Sequence, residues 1–270
     1  MEREIKFSFL RLFNSMKGLH KASEEAESDY LEKRADPETK KKFKRFFDWC
    51  DANGVEHPKV KYPVMFGKEG ARYPGMMATE DIGKDEVMIK VPSRMVFSTV
   101  VCFQSPEMQD VYFSNPELFG KHVSDGEDNV LNTFIMFELG KGERSFWKPM
   151  FDVWPRDTSI LFNWEQDELE WLQDATLEGD VNRQYQDFLT GWDKLYRCLS
   201  RYPQYFSEES IALYRYRWVY MLTTNRCFGS NWTGVCAMIP YAELINHENV
   251  DVMYDYLDCV TGKTLTERRE

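Results

Sequence analysis

The chain has 270 residues, enough to bury a sizeable core in one large domain or two small ones. Hydrophobic residues make up 43% and aromatic residues 15%, yet no apolar run reaches the length of roughly 18 residues that a membrane-spanning helix needs, so a soluble globular protein is expected. A net charge of −11 speaks against a general affinity for nucleic acid, because phosphate binding needs a concentrated basic surface; an acidic protein more naturally meets a basic partner, although net charge bears first on solubility.

From Met1 to about Arg45 the chain is charged and reads as helical, with Ile5, Phe9, Leu12, Phe13 and Met16 on one face. A second helix is predicted from Asp36-Pro37, the aspartate as cap and the proline at the first helical position, running through Phe43, Phe46, Phe47 and Trp49. This aromatic stripe reads as core packing rather than as a partner-binding face. Lys40–Arg45, KKKFKR, is more simply one side of that helix than a nuclear-localisation cluster. Arg3, Lys6, Arg11 and Lys17 lend the first twenty residues a faint transit-peptide character that Glu2 and Glu4 spoil, and the expected compartment is cytoplasm or nucleus.

Between Lys59 and Ser98 the pattern changes to that of strands, with turns at Gly67, Gly70, Pro74, Gly75 and Gly83. MMATEDI, EVMIKVP and RMVFST read as short strands of a small twisted sheet. Helix dominates from about Asp128 to Thr224, broken at SFWKPMFDVWP, with an acidic helix at EQDELEWLQD. Two longer helices follow, roughly Gly179 to Leu199 and Ser207 to Thr223. The expected organisation is an N-terminal helical extension over 1–45 and one domain over 46–270 with a helical insert at about 128–224.

The six cysteines, at 50, 102, 198, 227, 236 and 259, include no C-x-x-C pair and no histidine at zinc spacing, so they read as reduced thiols and no metal is expected. The sequon Asn231-Trp232-Thr233 then reads as coincidental.

The densest information lies in RCFGSNWTGVCAMIPYAELINHENVDVMYDY, where twenty residues separate Arg226 from Asn246. VCAMIP reads as a short buried strand, and YAELI as one helical turn that delivers Asn246 and His247 at its end. A paired Asn-His at a helix end suits the holding of a small polar ligand.

YPGMMATEDIGKDEVMIKVP, SFWKPMFDVWP, ALYRYRWVYMLTTNRCFG and AMIPYAELINHENVDVMYDY, in that order over about residues 46 to 258, resemble the SET-domain methyltransferases. The subclass they resemble is that of the Rubisco large-subunit lysine methyltransferase and the actin-histidine methyltransferase. The resemblance implies an α+β SET fold of small twisted β-sheets with a large helical insertion, S-adenosylmethionine as methyl donor, and a nitrogen of a protein substrate as acceptor, lysine first and histidine second. It implies a cofactor turn at Tyr73-Pro74-Gly75-Met76, where a glycine lets the main chain approach a ligand. The family pattern is G-x-G, and here Tyr73 stands at the first glycine, with Gly70 three residues earlier. Pro74, Gly75, Met76, Arg226, Asn246 and His247 are thus the implied cofactor-binding residues, with the Arg226 guanidinium suited to the amino-acid carboxylate. Glu243 stands where many members carry aspartate. Phe228 and Tyr254 match the aromatic wall and mouth of the target-side-chain channel, which suits a long aliphatic stem with a cationic head.

In-line methyl transfer requires aligned partners and excluded water, and no dedicated general base is evident. The family's catalytic tyrosine follows the Asn-His segment and has no counterpart before the sequence stops at TGKTLTERRE, where Thr261-Gly262 reads as a hairpin turn. The 270 residues are therefore expected to have little methyltransferase activity alone. The alternative reading is a non-catalytic SET-fold scaffold or protein-binding subunit.

Overall fold

A computed structural model describes residues 4–7, 26–68, 72–83, 86–156, 161–230 and 235–246. The chain divides into two compact units, one formed by Met1–Phe97 with Ala237–Glu270 and the other by Ser98–Cys236. The second is thus inserted in sequence within the first.

The first unit is organised around antiparallel pairs. Strand β1, Glu4–Phe7, lies beside β4, Ile89–Pro92, with Ile5 opposite Val91 and Phe7 opposite Ile89. This corrects the helix expected across Ile5: Glu4, Ile5, Lys6 and Phe7 alternate polar and apolar with a period of two, which suits a sheet edge. On its other side the backbone of Lys90 exchanges two hydrogen bonds with that of Glu56, at 2.8 and 2.9 Å.

Strand β2, Val60–Phe66, pairs with β3, Tyr73–Ala78. The register shifts between Lys61 and Val64, so Tyr62 and Pro63 both oppose Met76 in a bulge that accommodates a residue without an N–H. Beyond β2, Glu27 and Met65 exchange backbone hydrogen bonds at 2.9 and 3.1 Å. The Glu27 carboxylate pairs with Arg34 at 2.7 Å and Arg72 at 2.6 Å, tying that bridge to chain on both sides.

A short helix α1, Tyr30–Lys33, precedes α2, Pro37–Ala52, which begins at the expected proline and runs through Trp49 as expected. Asp36 caps α2 as its sequence predicts: one carboxylate oxygen accepts from the N–H groups of Glu38 and Thr39, each at 2.9 Å, and the other from the Thr39 hydroxyl at 2.6 Å. The aromatic stripe faces inward. Phe46 and Cys50, one turn apart, are fully buried, and Phe43 packs on Tyr62. Burial pushes the Cys50 thiol well above the usual range, so it stays protonated.

In the second unit, helices begin at Thr99, upstream of the insert expected from Asp128. They are α3, Thr99–Gln104; α4, Pro106–Ser114; α5, Pro116–Phe119; α6, Gly126–Gly140; α7, Lys148–Val153; α8, Gln166–Glu170; α9, Ala175–Leu199; and α10, Leu213–Arg226. Leu131 and Ile135 of α6 and Val219 and Leu222 of α10 are core residues with no exposed surface. The buried Thr223 hydroxyl donates to Asn132 Oδ1 at 2.8 Å, so a polar pair within these helices is satisfied internally. The start of α10 differs from the expected Ser207. There the Ser210 N–H donates to Ser207 Oγ at 3.2 Å and the Ser210 hydroxyl to the Ser207 carbonyl at 2.8 Å, a local turn that competes with helix. Two strands follow, β6, Phe228–Ser230, and β7, Val235–Met238. Phe97–Ser98 forms β5 at the point where the chain leaves the first unit.

Among the described residues no helix is long and apolar enough to cross a membrane, and no group of three or more His, Cys, Asp or Glu side chains could hold a metal ion. Residues Phe9 to Met16, Gly70, the sequon at 231–233, His247, Tyr254, Cys259 and Thr261-Gly262 lie outside the described residues.

Candidate functional site

The segment from Ala237 to Leu244 is buried at every position; the apolar run through Pro240 predicts this for its first half, while the burial of Glu243 is not predicted by apolarity. After β7 the chain turns once in a 3-10 helix, Ala242–Leu244, closed by the Glu243 N–H on the Ile239 carbonyl at 2.9 Å and the Leu244 N–H on the Tyr241 carbonyl at 3.2 Å. Ile245 is half-buried and Asn246 is exposed. The expected turn therefore exists and delivers Asn246 at its end.

Asn246 lands on β3. Its Oδ1 accepts from the Met76 N–H at 2.9 Å, and its Nδ2 donates to the Pro74 carbonyl at 3.3 Å. These two backbone groups flank Gly75, whose own pairing is to Val64 of β2, so they lie on the strand's other edge. The side-chain amide thus acts as a peptide group of a neighbouring strand would, supplying one donor and one acceptor to an edge. Two of the amide's valences are spent in this way. Among the described residues nothing takes its other N–H or its other oxygen lone pair.

Gly75 has a reason within the chain itself. A Cβ built there would collide with Oδ1 of Asn246 and stand 2.8 Å from both its Cγ and Nδ2, closer than real Cβ contacts come. The missing side chain makes room for the Asn246 amide, and the close approach that glycine permits is that of another part of the same chain.

The residue that sequence reasoning missed is Tyr241. Its ring stacks on His57 with centroids 3.8 Å apart and planes 14° apart, and lies parallel to Phe46 at 6.4 Å and beside Phe47 at 6.2 Å. The hydroxyl donates to the Val60 carbonyl of β2 at 3.4 Å. Burial raises its pKa far above that of an exposed phenol, so the group stays a donor. Its backbone has φ 68° and ψ −46°, close to the γ-turn conformation that is rare and strained outside glycine. No property of the residue type announces that conformation.

Of the other expected residues, Pro74 and Met76 join Asn246 and Gly75 through the contacts above. Arg226 is the last residue of α10, half-buried, and Phe228 opens β6, also half-buried; both belong to the second unit. Glu243 is buried in the 3-10 turn. His247 and Tyr254 fall outside the described residues.

No family model matches the chain. Among curated proteins it is 24% identical to the actin-histidine N-methyltransferase of Xenopus tropicalis over 216 residues, 77% of this chain and 35% of that protein. It is 21% identical to the chloroplastic ribulose-1,5 bisphosphate carboxylase/oxygenase large subunit N-methyltransferase of Pisum sativum over 202 residues, 75% of this chain and 38% of that protein. The chain thus spans well under half the length of these relatives. Among solved structures, the SET domain of LSMT bound to lysine and AdoHcy superposes with a TM-score of 0.60 at 20% identity, covering 78% of this chain and 44% of the other. Rubisco LSMT bound to sinefungin and monomethyllysine gives 0.57 at 22% identity, covering 80% and 46%. The chain thus has the fold of the SET domain seen in those structures, and by sequence it is similar to the Rubisco large-subunit and actin-histidine enzymes over about three quarters of its own length.

Proposed function

We propose that the chain is the cofactor-binding part of a protein methyltransferase that moves a methyl group from S-adenosylmethionine to a side-chain nitrogen of a protein substrate, lysine in the first instance and histidine in the second. The observation that carries this reading is the Asn246 amide on the Pro74–Gly75–Met76 edge, because it joins the two segments that resemble the family's cofactor turn and Asn-His pair. Relatives named for methylating actin histidine or the Rubisco large subunit, and neighbours bound to AdoHcy, lysine or sinefungin, support the same class.

The residues present fit the cofactor. Asn246 is exposed and keeps one donor and one acceptor, which suits the ammonium and carboxylate of the amino-acid end. Arg226 is assigned to the carboxylate, and His247 to the same pocket, on their match to the family motif; a guanidinium fork fits a carboxylate in two parallel hydrogen bonds. When bound, S-adenosylmethionine supplies an electrophilic methyl group on a sulfonium. The work of the chain is then to fix the direction of approach and keep water away, which is where most of the rate of such a displacement arises. A channel of aromatic rings would serve the acceptor side, with Phe228 assigned to its wall and Tyr254 to its mouth. The acidic surface favours a basic protein substrate over nucleic acid. The proposed compartment is cytoplasm or nucleus.

Calorimetric titration of the chain with S-adenosylmethionine tests this. Binding is expected, with affinity reduced about tenfold or more by Arg226→Ala and by Asn246→Ala, each removing charged or paired hydrogen bonds. An absence of heat at millimolar ligand would favour the non-catalytic scaffold instead.

A further inference from the structure

Asn246 reaches β3 from a segment that is itself gripped five residues earlier, and the grip is Tyr241. We infer that Tyr241 is a positioning residue whose buried ring and strained backbone aim the Asn246 amide at the edge of β3. The inference rests on the proposed cofactor site only for its effect on ligand affinity.

Two anchors hold one short span of chain. At the first, the Tyr241 ring is fixed on one face by His57 at 3.8 Å and faces the parallel ring of Phe46 at 6.4 Å. At the second, Asn246 bonds Pro74 and Met76. Both act on the same hairpin, since the Tyr241 hydroxyl meets Val60 of β2 and Val60 pairs with Ala78 of β3. Between them lies the 3-10 turn, whose direction is set by the dihedral angles of the residue that opens it. That residue is Tyr241, at φ 68°. An L-residue persists in this conformation only where its surroundings over-determine it, and here the stacked ring supplies the constraint. A side chain of similar bulk without an aromatic face would let the backbone relax toward negative φ and swing the turn, carrying Asn246 off its two partners.

Hydrogen exchange in the 270-residue chain tests this through the Met76 amide, which reports the Asn246 contact, against the Val64 and Gly75 amides, which report the β2–β3 pairing. Asn246→Ala sets the rate for the open contact. In Tyr241→Leu, exchange at Met76 is expected to quicken about tenfold or more while Val64 and Gly75 stay within about threefold of wild type. Tyr241→Phe keeps the ring and loses only a long hydrogen bond, so all three amides are expected to stay within about threefold. Affinity for S-adenosylmethionine is expected to fall about fivefold or more in Tyr241→Leu and to hold in Tyr241→Phe. Unchanged Met76 protection in Tyr241→Leu would overturn the inference, as would a rise at Val64 and Gly75 in step with Met76, which would make Tyr241 a core residue only. Should the wild-type chain fail to bind S-adenosylmethionine, the cofactor reading falls while the exchange measurements decide the role of Tyr241.

Discussion

Replacing Gly75 with alanine puts a methyl group 2.8 Å from two atoms of the Asn246 amide, and β3, paired to β2 on its other edge, has little freedom to retreat. The cheaper response is for Asn246, which is exposed, to swing into water and give up its bonds to Met76 and Pro74. Two hydrogen bonds at such a site are worth about 1.5 kcal/mol together, taking the lower half of the usual range because water can replace them. Against this, alanine restricts the unfolded chain and returns about 0.5 kcal/mol. Gly75→Ala should therefore destabilise the folded chain by about 1 kcal/mol in the wild-type background and stabilise it by about 0.5 kcal/mol when Asn246→Ala is already present. The two substitutions are coupled by about 1.5 kcal/mol, well outside the error of additivity between independent sites. Urea unfolding of the four proteins of the cycle, which breaks the Asn246 contact along with everything else, reads the unfolding free energy of each. If Gly75→Ala costs the same with and without Asn246, the glycine serves some other approach and the steric account is wrong.

Asp174 caps α9 by accepting from the N–H groups of Thr176 and Leu177 at 3.0 and 3.1 Å, so Asp174→Ala should lower stability by about 1 kcal/mol in urea unfolding. The Asp36 carboxyl is held below the ordinary carboxylate range by the Thr39 hydroxyl, then by the Thr39 N–H and, more weakly, the Glu38 N–H. Its folded pKa being the lower one, its contribution is complete above the unfolded carboxylate pKa and is lost as pH falls through the folded value; the gap in Tm between wild type and Asp36→Ala should narrow below about pH 4. Leu222 has no exposed surface, and Leu222→Ala should cost about 3 kcal/mol through lost burial and the cavity left in the helical unit, measured by the same urea titration.

What could be read in the sequence was whatever depends on near neighbours. Asp36-Pro37 states both the cap and the first helical residue of α2, and the three bonds to the Asp36 carboxylate are made within three residues of it. The burial of Ala237 to Pro240 needed no knowledge of its surroundings, since continuous apolarity dictates burial whatever covers it, whereas that of Glu243 depends on its tertiary setting. The start of α10 was lost to two serines whose hydroxyls prefer their own turn. The four residues of β1 alternate correctly, but the apolar residues that follow mask so short a signal. Within the candidate site the resemblance supplied Pro74, Gly75, Met76 and Asn246, while the reason for the glycine and the conformation of Tyr241 depend on contacts between distant parts of the chain. No local pattern encodes a partner 170 residues away.

That distance also has a consequence for biosynthesis. The β2–β3 hairpin can form as soon as both strands have left the ribosome, but Asn246 is still 170 codons from being made when Met76 is added. At about 5–20 residues per second, the outer edge of β3 waits roughly ten to thirty seconds for its covering amide. During that interval Pro74 and Met76 offer a bare acceptor and donor to any extended peptide nearby, including the same segment of another nascent chain.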